Sequence, residues 1–167
     1  DVWTREKLIT LTETLGGIKT DYKYIISYLK SLQDKYDLKF SFIAYDPYNA
    51  SAFLQDLDTF GCDCIEIVQS ARSLSSATED FKLSVDSGQI MYDRKNELLS
   101  WSACNAKLTY NSFREEKIDK TDRIERIDPI DAIIDAHKIM FENSADIDTS
   151  QYATDEFLDK FWNLGDK

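Results

Sequence analysis

Phe40-Ser41-Phe42-Ile43-Ala44-Tyr45-Asp46-Pro47 is the stretch on which the fold turns. It is an apolar run that ends in a carboxylate and is stopped by a proline, which has no N–H to offer a ladder. Residues 39–46 therefore read as a buried strand. A carboxylate at the C-terminal end of such a strand lies in the crevice where open α/β sheets bind ligands. A second reading stands beside it: Asp before Pro also initiates turns.

On the N-terminal side, residues 21–36 read as a helix, with Tyr22, Ile25, Ile26, Leu29, Leu32 and Tyr36 at helical spacing. Residues 8–14 alternate and read as a less apolar strand, at an edge or antiparallel, ending at Gly16-Gly17. On the C-terminal side, Asn49 can cap a helix that packs Phe53, Leu54 and Leu57 and stops at Gly61. Residues 63–69 are the next strand. Ser76-Ala77-Thr78-Glu79 has the form of a capping box and opens a helix that stops at Gly88.

Ile90-Met91-Tyr92 reads as a short extended piece. The pattern predicts a helix over 96–109, with Leu98, Trp101, Asn105 and Leu108 on one face. It predicts a charged irregular stretch over 113–127 and a helix over 129–142. Strand and helix alternate, as in parallel βαβ units. The pattern alone gives a mixed-sheet α/β domain with helices on both faces.

Composition bounds the function. The 167 residues suit one domain, and 43% hydrophobic with 13% aromatic content can supply a core. No apolar run approaches the ~20 residues of a membrane span. The opening Asp1–Lys7 is charged and lacks the apolar run of a secretory signal. It has no initiator Met, and a piece of something longer is expected. Three cysteines and one histidine make a zinc site improbable, and all three thiols read as reduced. A net charge of -11 argues against a general nucleic-acid coat, because phosphate contacts need Lys and Arg. It leaves room for a DNA enzyme that holds metal with carboxylates and receives DNA from a partner.

Asp128 stands before Pro129 at the head of the last long helix, where an N-cap Asp followed by Pro is the expected helix start. An aspartate there also lies beside unpaired backbone N–H groups, in a fixed geometry. Asp131 lies one turn on, near enough to help hold a metal. Asp135 continues the stripe, with a solvated face as its default. The stripe lies opposite Ile130, Ile133, Ile134, His137 and Phe141, and His137 reads as a satisfied core histidine.

Gln69 ends the second strand, where it can bond phosphate or a metal-bound water, or serve as an ordinary loop polar group. Asn105 sits on an apolar face and needs partners: it satisfies buried backbone or points into the site. Lys120, Arg123 and Arg126 lie in the charged stretch before Asp128. That stretch is a charge-balanced loop or a phosphate-positioning one. No Gly-rich phosphate loop or nucleophile elbow occurs, which argues against ATP hydrolysis and serine-hydrolase chemistry.

Taken in order, these pieces resemble the C-terminal nuclease domain of a tailed-phage terminase large subunit. The resemblance rests on Leu11-Thr12-Glu13-Thr14-Leu15-Gly16 with Asp21-Tyr22; Ile43-Ala44-Tyr45-Asp46-Pro47-Tyr48; and Val68-Gln69 with Leu74. It continues through Leu99-Ser100-Trp101 with Asn105, and Lys120 leading to Arg126-Ile127-Asp128-Pro129 with Ala132. It implies an RNase H-like mixed sheet, here without the opening strand or strands, where that family carries its first metal aspartate. Residues 1–143 would be the nuclease domain and 144–167 an acidic tail with a short amphipathic helix.

The resemblance further implies an endonuclease using two Mg²⁺ or Mn²⁺ ions to cut concatemeric viral DNA. Asp46 and Asp128 would be catalytic and metal-holding, Asp131 a further ligand, and Gln69, Asn105, Lys120, Arg123 and Arg126 phosphate-positioning. The implied partners are double-stranded DNA, the ATPase domain of the parent chain, a small terminase subunit and a portal, in the host cytoplasm. The alternative of another class is a catalytically silent RNase H-like module that docks on the packaging motor or portal.

Overall fold

The computed structural model describes residues 2–12, 22–48, 50, 54–122, 124–143 and 150–162. Its elements in order are α1 (Val2–Arg5), α2 (Tyr22–Tyr36), β1 (Phe42–Tyr45), α3 (Leu54–Leu57) and a 3-10 turn (Asp58–Phe60). They continue with β2 (Asp63–Glu66), α4 (Ala71–Asp86), α5 (Glu97–Asn105), β3 (Ala106–Tyr110), β4 (Glu116–Lys120) and α6 (Asp128–Glu142). A 3-10 turn (Ser150–Tyr152) and α7 (Asp155–Trp162) close the chain.

β1 and β2 pair in parallel, with Phe42 opposite Asp63 and Tyr45 opposite Glu66. The ladder runs one step further, where Ile67 N–H donates to the Tyr45 carbonyl at 2.9 Å. Parallel strands need a crossover. Here α3 and its 3-10 turn supply it, closed by Gly61 in the left-handed region at φ 67°. β3 and β4 form an antiparallel hairpin from Ala106↔Lys120 to Tyr110↔Glu116. Its turn is built on Asn111, whose side-chain oxygen accepts from the Phe113 and Glu115 N–H groups. The expected mixed sheet thus appears, among the described residues, as one parallel pair and one antiparallel pair.

Apolar side chains of several elements meet behind β1. Ile67, Leu74, Ile134 and Ile139 form the buried centre, with Phe42, Ala44, Ile65, Phe81 and Ile118 packed around them. Burial of each aliphatic side chain stabilises by about 1.5–3 kcal/mol. α6 packs on β1 and α4, and α4 packs on β4, so α4 and α6 together join the two sheet pieces. His137 is buried on α6, as its apolar-face position predicts. Its Nε2 lies 2.8 Å from an Asp80 carboxylate oxygen, and the ring meets Phe81 edge-on.

Several local expectations are corrected. Residues 8–12 form no strand; the opening is the short helix α1, whose Trp3 ring meets that of Trp101 at a tilt of 55°, with centroids 4.9 Å apart. Alternation alone cannot make a strand where no neighbour offers a ladder. The rest of that expected strand, the Asn49 cap and Phe53 lie outside the described residues. α4 begins at Ala71, well before the Ser76–Glu79 box, because the Ser70 hydroxyl accepts the Ser73 N–H at 3.2 Å. The 96–109 helix ends at Asn105, and Leu108 belongs to β3. Cross-strand pairing with the supposedly irregular 113–127 stretch overrides helix propensity there. Ile90–Tyr92 lies in no strand. On α6 the buried residue near the C-terminus is Ile139, and Phe141 is exposed.

Candidate functional site

The last residue of β1 leads into Asp46 at the exposed C-terminal end of the strand. An Asp46 carboxylate oxygen accepts the Tyr48 N–H at 2.9 Å, so the turn reading of Asp-Pro holds as local geometry. The other oxygen is not used by that turn. The neighbouring helix α6 presents Asp128, Asp131 and Asp135 at spacings of three and four, which puts them on one face. α6 lies against β1, so this face borders the strand end.

Burial pushes the Asp131 carboxyl up from 3.8 to about 6; Asp135, Asp128 and Asp46 push in the same direction, and Lys117 opposes them. Burial also raises Asp135, with Asp46 adding to the rise, while the Gln69 hydrogen bond and Lys138 oppose it. Asp46 is thus felt by both helix carboxylates, across more than eighty residues of sequence. The cleft holds one sign of charge with little to offset it. Lys117 on β4 is half-buried near Asp131, and Lys138 is shared with Glu142, one turn along α6.

Asp128 is placed differently from its sequence reading. It is the first residue of α6, with Ile127 in the cap position and no side-chain cap bond. The buried N–H of Ile130 is taken instead by the hydroxyl of Ser102 on α5, at 3.1 Å. Ser102 is 0% exposed. A long-range cap thereby releases the Asp128 carboxylate, which is exposed at the mouth of the cleft.

The remaining candidates separate. Gln69 is half-buried, and its side-chain amide donates to both oxygens of Asp135, at 3.0 and 2.9 Å. Asn105, 7% exposed, donates to the Arg126 carbonyl at 3.2 Å, while its own carbonyl accepts the Thr121 N–H and hydroxyl. Its side chain satisfies backbone in this structure. It ties the end of α5 to the segment entering α6. Lys120 and Arg126 are exposed on that approach, and Arg123 lies outside the described residues.

Two residues of the cleft escaped the sequence reading. The stripe pattern gives Asp135 a solvated face, yet it is half-buried and bonded to Gln69. Lys117 was one of many charges in a stretch read as a loop. Its place on a strand, two residues after the hairpin turn that Glu115 closes, could have singled it out. Among the described residues, no three His, Cys, Asp or Glu side chains already stand in an arrangement that closes around a metal ion. The donor set is nonetheless chemically suited to a hard divalent cation, which takes carboxylate oxygens and keeps positions for water and phosphate oxygen.

At the other end of the molecule, the tail returns to the domain. The Tyr152 hydroxyl accepts the Lys39 N–H at 3.0 Å, and Tyr152 meets Phe157 of α7 edge-on. Phe157 and Leu158 of α7 are half-buried. The side chains of Phe161 and Trp162 lie outside the described residues. Among the described residues no helix is long and apolar enough to cross a membrane.

Comparisons with known proteins agree with this architecture. The profile of the family described as terminase large subunit, endonuclease domain, matches residues 3–143. The crystal structure of the HK97 bacteriophage large terminase superposes with a TM-score of 0.70 at 22% identity, over 83% of this chain and 28% of that one. This chain therefore spans less than a third of that protein, and at this identity the likeness shows the fold alone. A comparison with curated protein sequences gives no match.

Proposed function

This chain belongs to the family of terminase large-subunit endonuclease domains, and on that footing we propose that its acidic cleft is a divalent-metal site for DNA phosphodiester hydrolysis. The observation that carries the reading is the convergence of Asp46 with the half-buried Asp131 and Asp135: burial raises the proton affinity of both helix carboxylates, and the Asp46 charge adds to the rise in each. A cleft of carboxylates whose nearby lysines are Lys117 and a Lys138 already paired with Glu142 is short of positive charge. A bound cation relieves that shortage, and the oxygen donors match Mg²⁺ or Mn²⁺.

In this proposal Asp46, Asp131 and Asp135 hold the cation, and Asp128 adds a carboxylate at the mouth. Divalent metal, when bound, supplies charge stabilisation to the attacking and leaving oxygens of an in-line displacement at phosphorus. The protein's own part is placement. β1 and α6 are locked by the Ile67–Leu74–Ile134 core, so the strand-end and helix-face carboxylates keep a fixed relation. Lys117 limits the repulsion without cancelling it. Lys120 and Arg126, exposed on the approach to the cleft, are assigned to the DNA backbone, and Arg123 is assigned with them from its place in the sequence. Asn105 shapes that approach through the Arg126 carbonyl and needs no contact with DNA.

The whole protein is proposed to cut concatemeric double-stranded DNA during packaging, next to an ATPase domain in the parent chain and with a small terminase subunit and portal as partners. The net charge of -11 suits an arrangement in which those partners deliver the DNA. The experiment is plasmid nicking by the parent protein in Mn²⁺, with and without Asp46→Asn. Metal-dependent nicking that disappears in the variant supports the reading. Equal nicking by both proteins, or none by either, overturns it.

A further inference from the structure

We infer that Gln69 is a positioning residue of this cleft: its amide fixes Asp135 as the carboxylate that joins Asp46 and Asp131 in holding the divalent cation. The inference rests on the metal-site reading proposed above and names a residue pair within it.

The backbone around Gln69 is held from both sides. Ile67, two residues before, is 1% exposed and extends the β1–β2 ladder through its bond to Tyr45. Ser70, the next residue, is the N-cap of α4. Between these anchors the Gln69 side chain reaches α6, 66 residues away in sequence, and its Nε2 contacts both Asp135 oxygens. A donor shared so evenly sets the plane of the carboxylate and leaves each oxygen with lone pairs for another partner.

The residue type matters as much as the distance. A lysine or arginine at this position would neutralise Asp135 and compete with a cation. An amide donates to the charged carboxylate and adds no charge, so the cleft keeps its full attraction for metal. Outer partners of metal-holding carboxylates behave in this way, orienting the ligand and tuning its basicity. A strap that merely tied the loop after β2 to α6 would work equally well with any hydrogen-bonding pair placed clear of the cleft. This one is built on a carboxylate that shares a face of α6 with Asp131, four residues away.

The test is calorimetric titration of Mn²⁺ into this chain, in wild type, Gln69→Met and Asp135→Asn, with thermal melts of the metal-free proteins alongside. Gln69→Met keeps the side-chain length and removes the donor. Asp135→Asn keeps the shape and removes the charge. We expect Gln69→Met to weaken Mn²⁺ binding by about 10–100-fold, and Asp135→Asn to weaken it at least as much. The double variant should bind little worse than the single ones, because the two act through one carboxylate.

Unchanged Mn²⁺ affinity in either single variant overturns the inference, whatever happens to the melting temperature, since a purely structural strap would move only the melt. If Gln69→Met fails to fold, the near-isosteric Asp135→Asn still decides. Wild-type protein that takes up no Mn²⁺ overturns the metal-site reading along with this inference. Wild-type binding with unaffected variants overturns this inference alone.

Discussion

The Gln69 amide nitrogen lies 3.0 and 2.9 Å from the two carboxylate oxygens of Asp135, a bond that spans the cleft from the end of the parallel pair to the face of α6. It marks where two halves of the domain meet. On one side stand the strand end and Asp46; on the other, the helix with Asp128, Asp131 and Asp135.

Asp46→Asn should separate chemistry from stability. Asp46 is exposed, and its single observed bond, accepted from the Tyr48 N–H, survives in asparagine. Nicking by the parent protein is expected to fall by more than about 100-fold, since even outer-shell partners of metals cost 10–100-fold. The thermal melt should move by no more than about a degree or two, in line with surface substitutions within ±0.5 kcal/mol. A variant that loses folding and cleavage together would assign Asp46 a structural role.

Ser102→Ala should cost stability of about 1–2 kcal/mol, read from denaturant or thermal unfolding. The change leaves the buried Ile130 N–H without its partner. Asp128→Ala should cost much less, because Asp128 caps nothing. The reverse order would restore Asp128 as the helix cap.

Metal-free stability and metal affinity should run in opposite directions with pH. Asp131 has its folded pKa raised from 3.8 to about 6 by burial and by Asp135, Asp128 and Asp46, against Lys117. Between about pH 4 and 6 the folded chain therefore keeps a proton that the unfolded chain has released. Its stabilising contribution is full below that window and is lost as pH rises through about 6. Asp135 adds to the trend in the same direction. Divalent metal competes with those protons, so the rise in melting temperature caused by Mn²⁺ should be larger at pH 7.5 than at pH 5. A shift independent of pH would remove Asp131 and Asp135 from the site.

Gly61→Ala should destabilise by about 1 kcal/mol through backbone conformation alone. The residue sits at φ 67°, and an added Cβ would meet nothing within 4 Å. Its effect on Mn²⁺ affinity should be nil, which makes it a control for variants that lower stability without touching the cleft.

Much of this architecture is legible in the sequence where one segment decides its own structure. The apolar stripe of Tyr22–Tyr36, the run into Asp46 and the Asp-Pro start of α6 each specify an element locally, and each is present. The failures lie where a distant segment decides. Ala106–Tyr110 leaves its helix because Glu116–Lys120 pairs with it. Asp128 loses the cap to Ser102, which lies a helix away. The Leu8–Thr12 alternation finds no neighbour among the described residues.

The site divides in the same manner. Asp46 and the aspartate stripe of α6 could be read from strand-end and helix-face rules. The half-buried state of Asp135 depends on Gln69 arriving from another element, and no periodicity shows that. Lys117 was hidden because its strand was read as a loop.

Anomalous diffraction from crystals of this chain soaked in Mn²⁺ would locate the cation itself. A manganese peak is expected in the cleft between β1 and α6, with oxygens of Asp46 and of Asp131 or Asp135 in its shell. Manganese bound only elsewhere, or a cleft that stays empty at concentrations saturating in solution, would contradict it.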